Sequence, residues 1–304
     1  MKAVETLEIR AADGIPLAAS YFPPQGQPRA AVLINSATAV DRRYYRAFAE
    51  WLAARGHAVL SYDYRGIAGS RPRRLRRDFP ASITLWGERD CSAAAEALAQ
   101  RAPKTAEGGA LPLLLIGHSI GGVVVASMPD NQRFAAILTV GAQSAYYRDW
   151  PAAVRGKMFR QWHLALPLLT PLFGYFPAKR LGMMEDLPAG VARQFHARRR
   201  HPDWLRLLER EGLASYHRQV RAPVLAIGIA DDPYGTRAAT LRHHRLFENA
   251  PVEYRWIAPA EIGESEIGHF GFFRRRYQQT LWPLAAEWLE AQSAGQSSQM
   301  RPSE

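Results

Sequence analysis

The stretch Leu111-Pro112-Leu113-Leu114-Leu115-Ile116-Gly117-His118-Ser119-Ile120-Gly121-Gly122-Val123-Val124-Val125-Ala126-Ser127-Met128 decides how the rest of the chain is read. Leu111 to Ile116 is apolar without alternation, as a strand covered on both faces must be. Ile120 to Met128 resumes with apolar residues at helical spacing. Between them Gly117 and Gly121 flank Ser119 at two residues on either side, which permits a turn too tight for side chains at those positions. A serine at the apex of a strand-turn-helix unit presents its hydroxyl clear of both elements, the posture of a nucleophile. Gly-x-Ser-x-Gly alone carries little weight, since at usages of about 7% a random chain of this length contains it on the order of one time in ten. The order strand, turn, helix gives it its meaning.

Outward from this unit the same rhythm repeats. Val4 to Ile9 and Ile15 to Phe22 flank the turn dipeptide Asp13-Gly14 and predict an opening β-hairpin. Continuous apolar runs at Ala30 to Ile34, Ala58 to Tyr62, Ala135 to Val140, Val224 to Ile229 and, more weakly, Val252 to Ile257 predict further strands. Helical spacing marks Tyr44 to Arg55, Ile83 to Arg101, Arg237 to Glu248 and Tyr277 to Ala291. Alternation of this kind predicts an α/β fold, a mostly parallel sheet with helices on both faces. Ala145 to Arg218 interrupts it with helix-like pieces and no convincing strand, and is read as a helical cap inserted into the sheet. The expected division is residues 1–144 and 219–292 for the two parts of the core, 145–218 for the cap, and 293–304 for a disordered polar tail.

A serine hydroxyl needs a base to take its proton and a carboxylate to orient that base. Gly268-His269-Phe270-Gly271 follows the last expected strand, and a histidine between glycines in a loop can turn freely and approach the elbow. Ala230-Asp231-Asp232-Pro233 sets two carboxylates at the end of the strand Val224 to Ile229, where sites on open α/β sheets are found. Either could serve, the other capping the helix near Arg237. Two backbone N–H groups must receive the oxyanion, one from the residue after the nucleophile, Ile120, and one from the loop Asn35-Ser36-Ala37-Thr38-Ala39, for which Ala37 is expected.

These features together resemble the serine-nucleophile branch of the α/β-hydrolase superfamily, over Val4 to Ala291. Asp63-Tyr64-Arg65-Gly66-Ile67-Ala68-Gly69-Ser70 resembles the loop after that family's fourth strand, and Asp232-Pro233-Tyr234-Gly235-Thr236 resembles its acid turn, which implies Asp232 as the third member of a Ser119, Asp232, His269 triad. Within the superfamily the chain is similar to a bacterial group with an Ala-Thr-containing oxyanion loop and a Gly-His-x-Gly-Phe-Phe ending. It departs from the common pattern at Asn35-Ser36, where many members have His-Gly, and at Ala68, where Gly is usual. A serine nucleophile separates it from the dehalogenase and epoxide-hydrolase branches, which attack with Asp. The resemblance implies a hydrolase acting on small-molecule esters through an acyl-enzyme, without cofactor or metal. Acyl transfer to another acceptor, thioester cleavage, or a non-catalytic binding role on the same fold are the alternatives.

Trp150, Trp162, Leu166, Leu169, Phe173 and Phe176 of the insertion are expected to line an apolar acyl pocket over Ser119, with a graded preference for short to medium acyl chains. Lys+Arg 39 against Asp+Glu 28 gives a net charge of +11. The densest basic runs, Arg71 to Arg77, Arg198 to Arg200 and Arg274 to Arg276, lie far apart and carry no nucleic-acid-binding signature, so they are read as solvated surface and no specific nucleic acid is expected. The single cysteine, Cys91, excludes an intramolecular disulfide. Leu164 to Phe176 is too short and too rich in Pro and Gly to span a membrane, and Met1 to Arg10 lacks the apolar run of a signal peptide, which makes the cytoplasm the expected location. The oligomeric state has no signature in the sequence.

Overall fold

The computed structural model describes residues 3–299. Ten strands form: β1 Glu5–Arg10, β2 Pro16–Phe22, β3 Ala30–Asn35, β4 His57–Tyr62, β5 Leu113–His118, β6 Ala136–Val140, β7 Tyr175–Phe176, β8 Leu187–Pro188, β9 Val224–Ile229 and β10 Val252–Ile257. Eight of them make one sheet in the order β1-β2-β4-β3-β5-β6-β9-β10. The Asp13-Gly14 hairpin joins β1 and β2 antiparallel, β2 meets β4 antiparallel, and every pairing from β4 to β10 is parallel. The fold is that of an α/β-hydrolase.

The unbroken apolar runs are explained by where they lie. Every residue of β3, β4, β5, β6 and β9 is buried, because helices cover both faces. Successive side chains alternate between the two faces: Ala31 and Leu33 pack with Trp86 and Leu98, while Val32 and Ile34 pack with Phe48 and Trp282. β10, the edge strand, alternates exposed and half-buried residues instead, the reason its apolar signal is weak.

Several boundaries differ from expectation, four of them near the site or the chain end. β5 runs to His118, so the strand delivers Ser119 directly. The elbow helix is shorter than Ile120 to Met128, covering Gly121–Val124 before tightening to a 3₁₀ turn at Val125–Ser127. Between β6 and β9 helices dominate, as read from sequence, but β7 and β8 pair antiparallel within that segment. The last helix, Trp282–Gln299, continues past Ser293, where a disordered tail was expected; the Ser293 hydroxyl donates to the Leu289 carbonyl at 2.7 Å, so a polar residue is absorbed by the helix itself. Residues 300–304, the rest of that tail, lie outside the described residues. No helix among the described residues is long and apolar enough to cross a membrane.

Buried polar contacts fix the loops around the elbow. Asn35, standing where His-Gly is common, donates from Nδ2 to the Gly121 carbonyl at 3.1 Å and accepts from the Tyr62 hydroxyl at 2.8 Å. Arg65 in the loop after β4 pairs with the buried Asp90 at 2.7 Å and with Asp13 at 2.6 Å, tying that loop to the opening hairpin. These residues hold structure; none lines the cavity above Ser119.

Candidate active site

Ser119 follows β5 with φ 53°, a left-handed conformation that is costly for a residue with a Cβ. The strain is held by neighbours. The Ser119 N–H donates to the Val140 carbonyl at 2.8 Å, and a Cβ on Gly121 would lie 2.2 Å from the Asn35 carbonyl oxygen, so that only glycine admits the close approach of β3 to the elbow. The serine is 7% exposed, at the floor of a cavity of about 210 Å³.

Asp232 follows β9 and His269 sits beyond β10, and the sheet brings their side chains together: His269 Nδ1 lies 2.6 Å from Asp232 Oδ2. The other carboxylate oxygen accepts the N–H groups of Tyr234 at 2.8 Å and Gly235 at 2.9 Å. Burial of Asp232 acts to raise its pKa, but His269 and those two N–H groups outweigh it and hold the carboxyl below its ordinary range. Asp231 faces elsewhere. It accepts from the N–H groups of Ile267 at 2.9 Å and Gly268 at 3.1 Å, which anchors the segment carrying the histidine. His269 is therefore not on a freely turning loop, as its flanking glycines suggest, but in the one-turn helix Gly268–Gly271, tied further by the Tyr44 hydroxyl donating to the Phe270 carbonyl. Gly141, after β6, closes the back of this pair: a Cβ there would stand 3.1 Å from Asp232 Oδ2 and 3.2 Å from the His269 ring.

A second network runs behind the first. The Ala37 N–H donates to the Tyr45 hydroxyl at 2.8 Å, that hydroxyl lies 2.8 Å from His118 Nδ1, and His118 Nε2 lies 2.9 Å from the His269 carbonyl. The only donor order that satisfies every member is Ala37 to Tyr45, Tyr45 to His118, and His118 to His269. Burial, reinforced by His269, pushes the His118 pKa down to about 3, so the ring is neutral as this order requires. The expectation for Ala37 is corrected accordingly: its N–H is taken by Tyr45 and is not available to an oxyanion. The Thr38 and Ile120 amides have no hydrogen-bond partner among the described residues, and both residues line the cavity.

The cap expectations hold only in part. Trp162 lines the cavity. Trp150 and Phe176 are buried behind it, and Leu166 packs into the core without reaching it. Leu169 is packed against the core and also lies outside the lining. Phe173 is 38% exposed and turned outward beneath Arg180, because Gly174 ends its helix there. Further lining residues were missed: Gln143, Lys157, Gln161, Met183, Met184, Phe195, Arg198 and Arg199 from the segment between β6 and β9, and Tyr234 from the turn after β9. Arg198 and Arg199 also overturn the reading of their run as solvated surface, each being 2% exposed. Helix periodicity carried the one usable signal, since Val191, Phe195, Arg198 and Arg199 share the buried face of Ala189–Arg200. No three His, Cys, Asp or Glu side chains among the described residues are grouped to hold a metal ion.

Comparison with known proteins gives a consistent picture. The family model described as serine aminopeptidase, S33, matches residues 26–226. No curated protein matches the chain. A soluble variant of monoglyceride lipase from Saccharomyces cerevisiae superposes with TM-score 0.65 at 14% identity, covering 96% of each chain. A carboxyl esterase from Bacillus coagulans superposes with TM-score 0.62 at 12% identity, covering 96% of this chain and 100% of its own. The esterase domain of a Rhodothermus marinus protein reaches 21% identity with TM-score 0.53, covering 95% of this chain and 99% of its own. At these identities the likeness is one of fold.

Proposed function

The chain belongs to the S33 serine aminopeptidase family of α/β-hydrolases, and we propose that it is a serine hydrolase whose scissile bond is a carboxylic ester. The observation that carries this reading is the Asp232–His269 contact at 2.6 Å on the wall of the cavity that Ser119 floors. With Nδ1 given to Asp232, His269 has Nε2 for the serine. Ser119 Oγ attacks the carbonyl carbon as its proton passes to Nε2; the protonated imidazole, stabilised by Asp232, then gives that proton to the departing alkoxide. Water repeats the sequence on the acyl-enzyme, releasing the acid and restoring Ser119. Ile120 and Thr38, with free amides, are the pair of oxyanion donors this reading uses. The segment between β6 and β9 acts as the cap that sets substrate choice.

An ester is favoured over a peptide amino terminus by charge. An aminopeptidase must seat a substrate ammonium, and apart from the triad's Asp232 nearby, the cavity offers it cations: Lys157, Arg198 and Arg199 are in the lining and no carboxylate is. The test is labelling with a fluorophosphonate together with hydrolysis of p-nitrophenyl esters of graded acyl length. Labelling should fall on Ser119, and Ser119→Ala should lose about 10⁶-fold in kcat, with Ser119→Ala/His269→Ala little worse because the triad acts as a unit. Labelling of another serine, or acyl groups appearing on an added thiol in place of free acid, would reassign the chemistry.

A further inference from the structure

Arg198 and Arg199 are anomalous charges among the described residues. Both are buried, both line the cavity that holds Ser119 and His269, and neither forms an ion pair with any described carboxylate. Arg198 donates from Nη2 to the Gln143 carbonyl at 2.8 Å, but its Nε is buried without a partner. Arg199 has neither Nε nor Nη1 partnered, and its guanidinium lies among the rings of Trp162 at 4.3 Å, Phe195 at 4.4 Å and Trp150 at 4.5 Å. Buried guanidinium groups are ordinarily paired, because desolvating a charge without a counter-charge is costly.

Ordinary structural roles do not account for the pair. Basic residues are favourable in the last turn of a helix, and Arg198 and Arg199 close the helix Ala189–Arg200. The adjacent Arg200 meets that role from the surface, however, and burying two neighbouring cations is not needed for it. Aromatic faces stabilise the flat of a guanidinium, yet they leave its N–H edges unsatisfied. Exposed Lys157 stands at the rim of the same cavity, again without an ion-pair partner among the described residues. Burial holds the Arg198 pKa down at about 9, and burial together with Arg198 lowers that of Arg199, a desolvation cost that a counter-ion would offset.

We propose that the substrate carries, away from its scissile ester, an anionic oxygen group, a carboxylate or a phosphate, that pairs with the guanidinium groups of Arg198 and Arg199 where they line the cavity. The planar fork of a guanidinium matches either group. Two arginines side by side give the ligand a fixed end, and Ser119, lining the same cavity, meets the ester at the other. The cavity of about 210 Å³ restricts the spacer between them to a short one, since it is below the usual 300–1,000 Å³ of ligand sites. This inference rests on the hydrolase reading, but its binding half can be measured without catalysis.

The experiment compares monomethyl glutarate with dimethyl glutarate, and 2-acetoxyethyl phosphate with 2-acetoxyethyl acetate, by acid release at constant pH. Alongside it, glutarate and phenyl phosphate are titrated calorimetrically into the wild type, Arg199→Lys and Arg198→Met/Arg199→Met, with folding checked by thermal melting. In the wild type one anionic ester should exceed its neutral partner in kcat/KM by about tenfold or more, the scale of a charge-assisted hydrogen bond. The double variant should bring the two towards parity and weaken anion binding by a similar factor; Arg199→Lys, with charge but no fork, should fall between. Which arm responds distinguishes carboxylate from phosphate. A wild type labelled at Ser119 that shows no anionic preference overturns the proposal, as does a preference that survives in the folded double variant. A wild type that fails to label but binds an anion through these arginines supports the anion site while sinking the hydrolase reading; absence of both sinks both.

Discussion

The floor and the roof of the cavity treat polar groups in opposite ways. On the floor, contributed by the loops after β3, β5, β9 and β10, the groups behind the reacting atoms are paired: Asp232 accepts from His269, Tyr234 and Gly235, Asp231 holds Ile267 and Gly268, and Tyr45 links Ala37 to His118. In the roof, contributed by the segment between β6 and β9, two guanidinium groups are buried with N–H edges unpaired. A floor satisfied by its own residues is rigid and ready before substrate arrives, which is what acyl chemistry needs. A roof left unsatisfied is completed by what it binds.

The comparison can be broken or sharpened by substitution. The largest effect belongs to the two neighbouring carboxylates. Asp232→Asn should lower kcat by about 10⁴-fold, as loss of the orienting acid does in other triads, whereas Asp231→Asn leaves that contact in place and should cost far less; steady-state rates on one p-nitrophenyl ester decide it. The reverse ranking would mean the floor is organised around the wrong acid.

Acid should destabilise the core beneath the floor. His118 and His244 are buried, their pKa values pushed down from 6.5 to about 3 and about 4, chiefly by desolvation. Below pH 6.5 the unfolded chain takes up these protons and the folded one does not, so stability falls as pH drops from about 6.5 towards 4. The slope should reach about 1.4 kcal/mol per pH unit for each such histidine, read from urea midpoints across that range. A flat profile would show that these rings are not held neutral.

Smaller and opposite in sign are two changes, one on each side. Tyr45→Phe strands the Ala37 N–H and His118 Nδ1 and should cost about 1–3 kcal/mol. Arg199→Met removes an uncompensated buried charge, keeps apolar contact with the surrounding rings, and should raise stability by about 1 kcal/mol in the absence of ligand. Thermal and denaturant melts measure both. If the arginine variant is the less stable of the two, the roof is built for stability and the contrast fails.

Much of the floor was legible before any fold was known, because it is encoded over short distances. Gly117 to Gly121 specifies a turn by the absence of side chains, the apolar runs specify buried strands, and Gly268 to Gly271 marks its histidine by local composition. The roof was not legible in this way. Helical periodicity could place Trp162 and Phe195 on apolar faces but not say which would meet the cavity, and Phe173, as apolar as either, turned out to solvent.

The sequence by itself determined the strand-helix alternation, the α/β-hydrolase fold and the identities of Ser119 and His269 as candidates, since each depends on residues adjacent in the chain. Asp232, which the acid-turn resemblance implied, is the carboxylate that meets His269, but tertiary structure alone decided that Tyr45 takes the Ala37 amide and that Arg198 and Arg199 turn inward. Those outcomes depend on which distant segments pack together. A run of arginines reads as solvated from its composition, and only the aromatic rings and carbonyl that enclose it show that it is not.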